Sequence, residues 1–204
     1  MFPIKPPGAG ADRAMPELIL ASSSPRRQAL LSEAGYVFRV VPPRPEAECG
    51  VCSGESPSEL VARLAYQKAA DVAGRVTQGV VVACDTVAVC RGQILGKPAD
   101  ERHARQMLEL LSGREHRVVS GLCLWQMPGN RSRVEVALTT LRMDALTPHQ
   151  IDEYLASGLW EGKAGAFGYQ DRLGWLRVIE GSETNVVGLP MELLQTMLEG
   201  IDTR

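Results

Sequence analysis

A strand-to-helix turn near the N-terminus constrains the fold more than any other feature of the sequence. Residues 18–21 form a short apolar run typical of a buried strand, and residues 26–34 are rich in helix-forming side chains. Ser24 suits the N-cap of this helix, Pro25 suits its first position, and Gly35 ends it. Such a turn leaves backbone N–H groups free at the positive end of the helix, where anions bind.

Hydroxyl and guanidinium groups around this turn indicate which anion to expect. Ser22, Arg26 and Arg27 add hydrogen-bond donors and positive charge, so we expect a phosphate group there. The same local pattern also fits a capped surface helix with two solvated arginines. The rest of the chain therefore has to decide between these interpretations.

Length, composition and charge limit the classes of protein that the chain can belong to. Its 204 residues, 45% of them hydrophobic, suffice for one domain, predicted over 17–204 after a flexible, Pro- and Gly-rich extension over 1–16. A net charge of -2 argues against binding to nucleic acid or to a membrane surface. No apolar run approaches the roughly 20 residues that span a bilayer. We therefore expect no membrane partner.

The cysteines indicate the redox environment rather than a metal site. Cys84, Cys90 and Cys123 lie in apolar segments, as expected for buried thiols in a reducing compartment, which predicts a cytoplasmic protein. Cys49 and Cys52 form a CxxC pair in a polar loop. No second ligand pair accompanies them, so two loop thiols are preferred to a zinc or redox site.

A lysine lies on the apolar face of a predicted helix. The capping box at residues 56–59 begins a helix expected to reach Gly74. At 100° per residue, Lys68 falls inside the apolar arc of this helix. It must either extend to solvent along the helix surface or point into a polar cleft, and both alternatives stay open.

An aspartate follows a strongly apolar strand. Residues 79–84 (GVVVAC) predict a central strand covered on both faces, and Asp85 and Thr86 follow before the apolar pattern resumes at 87–89. Burying an ionised carboxylate costs several kcal/mol unless it is paired, hydrogen-bonded or bound to metal. A functional Asp85 is therefore favoured over the alternative, an Asx turn that ends the strand.

Further charged residues lie in turns and loops. Lys97 follows a predicted hairpin, Lys163 belongs to a Gly-rich loop, and Glu46 and Glu48 lie in a polar loop. Carboxylates that hold a divalent metal and cations that neutralise a polyphosphate are what phosphoryl transfer needs. Since no nucleophilic triad is visible, water is the expected attacking group.

The remaining patterns predict the elements that support these residues. Strands are expected at 36–41, 116–126, 133–143 and 173–179, with a hairpin turn at 127–130. Helices are expected at 100–111, 147–156 and 190–198. The sequence thus predicts an α/β domain.

Five blocks, in order along residues 18–200, resemble the Maf family of nucleoside triphosphate pyrophosphatases: LASSSPRRQALL, VARLAYQKA, ACDTVAV with ILGKP, GKAGAFGYQ, and NVVGLPMELL. The resemblance implies a mixed, elongated central sheet flanked by helices, with two lobes and a cleft between them, as in inosine triphosphate pyrophosphatases. It also implies hydrolysis of a nucleotide between its α and β phosphates, giving a monophosphate and pyrophosphate.

The resemblance assigns roles to individual residues. Asp85 accepts the proton of the attacking water and, with Glu48, binds a divalent metal, Mg²⁺ or Mn²⁺. Glu46 is the alternative ligand, because PPRPEAE departs from the Asp-Ile-Asp-Glu pattern usual in that loop. The catalytic set is Asp85, Lys68 and Lys97. The substrate-binding set is Ser22, Arg26, Arg27, Thr86, Lys163 and Gln170.

The Gly-rich loop indicates the branch of the family. GKAGAFGYQ is similar to the GKAGAYGIQ of the dTTP/UTP branch, whereas the 7-methyl-GTP branch has a Phe-Lys-Ser-Glu-like segment there. Arg26, Thr86 and Gln170 match the specificity positions of the dTTP/UTP branch. The alternatives are a house-cleaning pyrophosphatase for modified nucleotides, including 7-methyl-GTP or inosine triphosphate, and a non-hydrolysing, nucleotide-binding regulator of septum formation. A homodimer is left open.

Overall fold

In the computed structural model, which describes residues 16–48, 54–171 and 173–201, the strands form one mixed sheet in the order β2-β1-β3-β5-β6-β7, with β4 beside β3. The strands are β1 (Leu18–Leu20), β2 (Phe38–Val40), β3 (Gly79–Cys90), β4 (Gln93–Leu95), β5 (Glu115–Met127), β6 (Arg131–Met143) and β7 (Leu176–Glu180). The helices are α1 (Pro25–Glu33), α2 (Pro57–Ala73), α3 (Glu101–Leu111), α4 (Pro148–Ala156), α5 (Glu183–Val187) and α6 (Met191–Glu199). The predicted mixed α/β fold is confirmed.

Three long antiparallel strands form the frame of the molecule. β3, β5 and β6 have 12, 13 and 13 residues, which is about 40 Å of strand at ~3.3 Å per residue. The first half of β3 packs with α1, α2 and α6, and its second half packs with α3 and α4. The same strands therefore contribute to both lobes, the first with α1, α2 and α6 and the second with α3 and α4. The sheet is elongated as predicted.

One edge of β3 is open at its middle. β1 pairs in parallel with Val80–Val82, and β4 pairs antiparallel with Ala88–Cys90, while β5 pairs with β3 continuously along the other edge. Asp85 and Thr86 lie between the two short partners. The strand extends beyond residue 84, and the alternative of an Asx turn at Asp85 is wrong, because the ladder continues through the pair Asp85↔Gly121.

Strand alternation sends these two residues to opposite faces of the sheet. Val81 and Ala83 belong to the core cluster under α2, whereas Val82 and Cys84 belong to the cluster under α1 and α6. Because successive side chains of a strand alternate between the faces, Asp85 points to the α2 face and Thr86 to the opposite one, here called the far face.

A glycine on β5 brings α2 close to the sheet at this level. A Cβ atom at Gly121 would lie 2.2 Å from the carbonyl oxygen of Val61, which is far inside van der Waals contact. Only a residue without a side chain allows helix and strand to approach this closely. Since Gly121 is paired with Asp85, the helix that carries Lys68 lies directly over Asp85.

Several predicted boundaries are confirmed and others are not. Ser56, Asp100 and Thr147 cap α2, α3 and α4 with their side chains. β2 is shorter than predicted, and β7 begins at residue 176 rather than 173. Helix α5 was not predicted, since five residues are too few to show a helical period. Among the described residues no helix is long and apolar enough to cross a membrane.

Candidate active site

A buried lysine and two carboxylates meet on the α2 face. Lys68 Nζ lies 2.5 Å from Asp85 Oδ1 and 3.2 Å from Glu48 Oε2. Lys68 is 7% exposed, so its ammonium group points into the cleft rather than to solvent. The pairing compensates the charge of a carboxylate that the strand carries into a mostly buried position.

The acidic loop contributes Glu48 to this cluster. Both loop glutamates are exposed, but Glu48 contacts Lys68, whereas Glu46 lies in the short 3-10 turn Pro45–Ala47. Two carboxylates beside an open cleft suit Mg²⁺, which is commonly held by one or two carboxylates together with substrate phosphates. Within the described ranges no group of three or more His, Cys, Asp or Glu side chains forms a metal site on its own. Cys49 and Cys52 lie outside those ranges.

The turn before α1 has its donors arranged around the cleft. Ser24 is the N-cap residue, as predicted, but its side chain makes no capping hydrogen bond. Ser22 Oγ accepts hydrogen bonds from the Ser24 N–H and from Arg27 Nη1, each at 3.2 Å. Arg27 Nε also donates to the Gly188 carbonyl at 2.8 Å. The first N–H groups of α1 are thus left without a side-chain cap at the site where an anion was expected.

Arg26 connects the turn to the Gly-rich loop. Its Nη2 donates to the carbonyl of Gly162 at 3.0 Å. Burial lowers the pKa of the Arg26 guanidinium, and the neighbouring Arg27 adds to this effect, while Asp171 opposes it. An arginine stays charged even so, because its ordinary pKa lies far above neutral pH.

Two adjoining cavities border the open edge of β3. The larger, of about 680 Å³, lies on the α2 face and is called the α2-face cavity. It is bordered by Ser22, Arg26, Arg27, Glu48, Lys68, Asp85, Thr86 and Lys97, among others. Lys97 is exposed, and across the described part of the chain no hydrogen bond or ion pair engages its ammonium group. It therefore remains available to an anion.

The smaller cavity, of about 100 Å³, lies on the opposite side of the sheet and is called the far-face cavity. Its lining combines polar and apolar groups: Thr86, His116, Val118, Leu141, Lys163, Phe167, Gln170 and Leu176. Arg26, Arg27, Thr86 and Lys97 border both cavities. One elongated molecule can thus occupy both by crossing the open strand edge.

The ammonium group of Lys163 is held by a carboxylate. Lys163 Nζ lies 2.6 Å from both carboxylate oxygens of Asp171, and Tyr154 donates a hydrogen bond to Asp171 Oδ2 at 2.7 Å. Sequence reasoning missed Asp171 and Tyr154. One lies in a loop and the other on a helix, and only the folded structure brings them into contact. A direct contact between Lys163 and a substrate stays a prediction.

His116 and the Gly188 carbonyl were also missed. His116 is buried beside the far-face cavity, and burial lowers the pKa of its imidazole, so it is neutral at pH 7. The alternation of β5 could have indicated this position, since His116, Val118 and Ser120 share one face. The Gly188 carbonyl accepts from Arg27 and from Thr86 Oγ1, and Thr86 also exchanges a 2.8 Å hydrogen bond with Ser120.

Comparisons with known proteins identify the family of the chain. The family profile described as Maf-like protein matches residues 17–201. The dTTP/UTP pyrophosphatase of Rhodopirellula baltica is 56% identical over 198 residues, covering 96% of this chain and 86% of that protein. The dTTP/UTP pyrophosphatase of Pelotomaculum thermopropionicum is 41% identical, covering 91% and 96%.

Two solved structures are similar in fold. The Ham1 protein of Staphylococcus aureus has a TM-score of 0.51 at 14% identity, covering 90% of this chain and 98% of that one. A HAM1 protein from Coxiella burnetii has a TM-score of 0.50 at 16% identity, covering 92% and 100%. At this identity the likeness concerns the arrangement of strands and helices alone.

Proposed function

The chain belongs to the Maf family, and on that premise we propose that it is a nucleoside triphosphate pyrophosphatase with dTTP and UTP as its best substrates. Water cleaves the bond between the α and β phosphates and releases a nucleoside monophosphate and pyrophosphate. The observation that supports this most directly is the pair of unlike cavities that meet at the open edge of β3.

The two cavities suit the two ends of a nucleotide. The α2-face cavity combines the start of α1 with Arg26, Arg27 and Lys97, so it suits the triphosphate. The far-face cavity is smaller, partly apolar and bordered by Gln170, so it suits a pyrimidine base. The sugar then lies near Thr86, which borders both.

The chemistry follows from the groups on the α2 face. Asp85 takes the proton of the attacking water, and Lys68 holds Asp85 and compensates its charge. Asp85 and Glu48 would hold Mg²⁺ or Mn²⁺, which would neutralise phosphate charge and polarise the attacking or the leaving oxygen. Arg27 and Lys97 stabilise the charge that develops on the phosphate oxygens and on the leaving pyrophosphate.

Gln170 accounts for the choice of base. Its amide offers an acceptor and two donors, which match the N3–H and a neighbouring carbonyl of uracil or thymine. With the amide held in that orientation, cytosine, which has no N3–H, would leave one of these partners mismatched, at a cost of roughly 1–3 kcal/mol. Arg26 and Thr86 complete the proposed specificity set. A cytoplasmic location and a homodimer stay predictions.

The test is pyrophosphate release from a panel of nucleotides at fixed Mg²⁺. We expect kcat/KM for UTP and dTTP to exceed that for CTP and dCTP by about 10- to 100-fold, and we expect EDTA to abolish activity until Mg²⁺ or Mn²⁺ is restored. Best turnover of inosine triphosphate or 7-methyl-GTP would instead favour a house-cleaning enzyme. Tight binding without pyrophosphate release would favour a regulator.

A further inference from the structure

The loop that carries Gln170 is built around a buried ion pair. Lys163 stands at one end of the segment and Asp171 at the other, and their side chains are 10% and 6% exposed. The Lys163 ammonium contacts both carboxylate oxygens at 2.6 Å. This pair ties the two ends of the loop together and leaves the Lys163 charge compensated.

A tyrosine links the pair to the core of the second lobe. Tyr154 lies on α4 and packs against Phe167 and Trp175, with ring centroids 5.2 and 6.0 Å away. Burial raises the pKa of the Tyr154 phenol, and its hydrogen bond to Asp171 adds to this, so it keeps its proton and remains a donor. Asp171 is therefore fixed by a side chain that is itself held by aromatic packing.

The backbone of the loop passes closely over the pair. A Cβ atom at Gly168 would lie 2.6 Å from Lys163 Nζ and 2.8 Å from Asp171 Oδ2. The next residues form the 3-10 turn Tyr169–Asp171, in which Gln170 directly precedes the paired aspartate. Gln170 and the paired Asp171 therefore share one short turn of backbone.

We propose that Asp171, held by Lys163 and Tyr154, is a positioning residue that fixes the Gln170 amide at the far-face cavity and so maintains the preference for uracil over cytosine. The inference rests on the proposed function, in which Gln170 reads the base. Asp171 itself touches neither the base nor the phosphates in this scheme. In this scheme Lys163 contributes by holding the loop.

The first experiment compares UTP with CTP in the variants Asp171→Asn and Tyr154→Phe. Asn keeps the shape of the side chain but removes its charge, and Phe removes a single hydroxyl while keeping the ring. We expect the ratio of kcat/KM for UTP to that for CTP to fall about fivefold or more in Asp171→Asn, and about two- to fivefold in Tyr154→Phe. The loss falls on UTP, since CTP does not use the Gln170 contact.

The matched control is Asp152→Asn. Like Asp171, Asp152 pairs with a cation, here Arg105, but its side chain is 60% exposed. It lies on α4, the helix that carries Tyr154. We expect its UTP to CTP ratio to equal that of the wild type. If Asp171→Asn does not fold, Tyr154→Phe carries the test. A ratio unchanged within about 1.5-fold in every folded variant would overturn the proposal, whatever happens to the melting temperature.

A double-mutant cycle with Gln170→Ala separates positioning from independent action. In that background we expect Asp171→Asn to change the ratio no further, because both substitutions remove the same contact. An equal effect in both backgrounds would overturn the proposed route through Gln170.

Hydrogen exchange tests the positioning without any substrate. We expect the backbone amides of residues 168–171 to exchange about tenfold faster in Asp171→Asn than in Asp152→Asn. Unchanged exchange would overturn the inference while leaving the proposed function intact. A wild-type protein that releases no pyrophosphate would instead contradict the proposed function, and the exchange result would still stand.

Discussion

Two lysine–aspartate pairs in this molecule have almost the same chemistry and different surroundings. Lys68 and Asp85 lie 2.5 Å apart with side chains 9% and 13% exposed, and Lys163 and Asp171 lie 2.6 Å apart with side chains 10% and 6% exposed. The first pair borders an open cavity of about 680 Å³ and a second carboxylate. The second is enclosed by Tyr154 and the loop backbone. The first pair is therefore placed to act on a substrate, and the second is placed to hold a loop.

Stability alone does not distinguish the two pairs. Removing one partner of a buried ion pair costs about 3–5 kcal/mol, because the other charge is left in a mostly buried position without that partner. We therefore expect both pairs to contribute similarly to the free energy of unfolding and differently to catalysis. The following predictions use that difference, from the largest effect on activity to the smallest.

The largest effect is expected from Asp85→Asn. The amide keeps the shape of the carboxylate but neither accepts the proton of water nor binds metal as a charged ligand, so turnover should fall by about 1,000-fold or more. The loss should be the same for UTP and CTP, unlike that of Asp171→Asn. Steady-state pyrophosphate release measures it, and near wild-type turnover in a folded variant contradicts the role given to Asp85.

Matched removal of the two ammonium groups compares the pairs directly. Lys68→Met should lower kcat by about 10- to 1,000-fold with either nucleotide, whereas Lys163→Met should act mainly on kcat/KM for UTP and by about tenfold or less. Urea unfolding should give losses of about 3–5 kcal/mol for both. Equal effects of the two variants on kcat with CTP would remove the distinction drawn between the pairs.

Lys97 provides the contrast of an unpaired cation. Because its side chain is exposed and no ion pair among the described residues holds it, Lys97→Ala should leave the melting temperature unchanged. Its kcat should nevertheless fall by about tenfold or more, since a charge beside the phosphates is lost. Thermal unfolding and pyrophosphate release on the same sample test this, and full activity would show that Lys97 does not contact the substrate.

The smallest effect is expected from Gly168→Ala. The added methyl group would press on the Lys163 ammonium and the Asp171 carboxylate, of which the lysine end is the more flexible, so the pair should shift rather than break. We expect the UTP to CTP ratio of kcat/KM to fall by about two- to threefold, with CTP turnover unchanged. An unaltered ratio would show that the pair tolerates such a shift.

Sequence reasoning identified both members of the first pair, though not their contact, because local periodicity indicates each of them. The helical period placed Lys68 on the buried face of α2. The apolar run of residues 79–84 indicated a buried strand, next to which a carboxylate such as Asp85 is costly and therefore informative. The continuation of β3 through Asp85 was not foreseen, since it depends on the pairing with Gly121, and that contact spans 36 positions of the chain.

The second pair could not be found in the same way. Lys163 and Asp171 belong to a loop with neither a two-residue nor a 3.6-residue period, and Tyr154 reaches them from another helix. Helix α5 was missed for a related reason. Ser182 caps it, but the five residues that follow are too few to show an apolar stripe.

The continuity of β3, β5 and β6 through both lobes has a mechanical consequence. A hinge between the lobes would have to bend three adjacent, hydrogen-bonded strands together. The continuous strands therefore resist bending between the lobes, and the cleft is the gap between β1 and β4 at one edge of β3. Closure of the groove on a nucleotide would therefore have to bend strands that both lobes share.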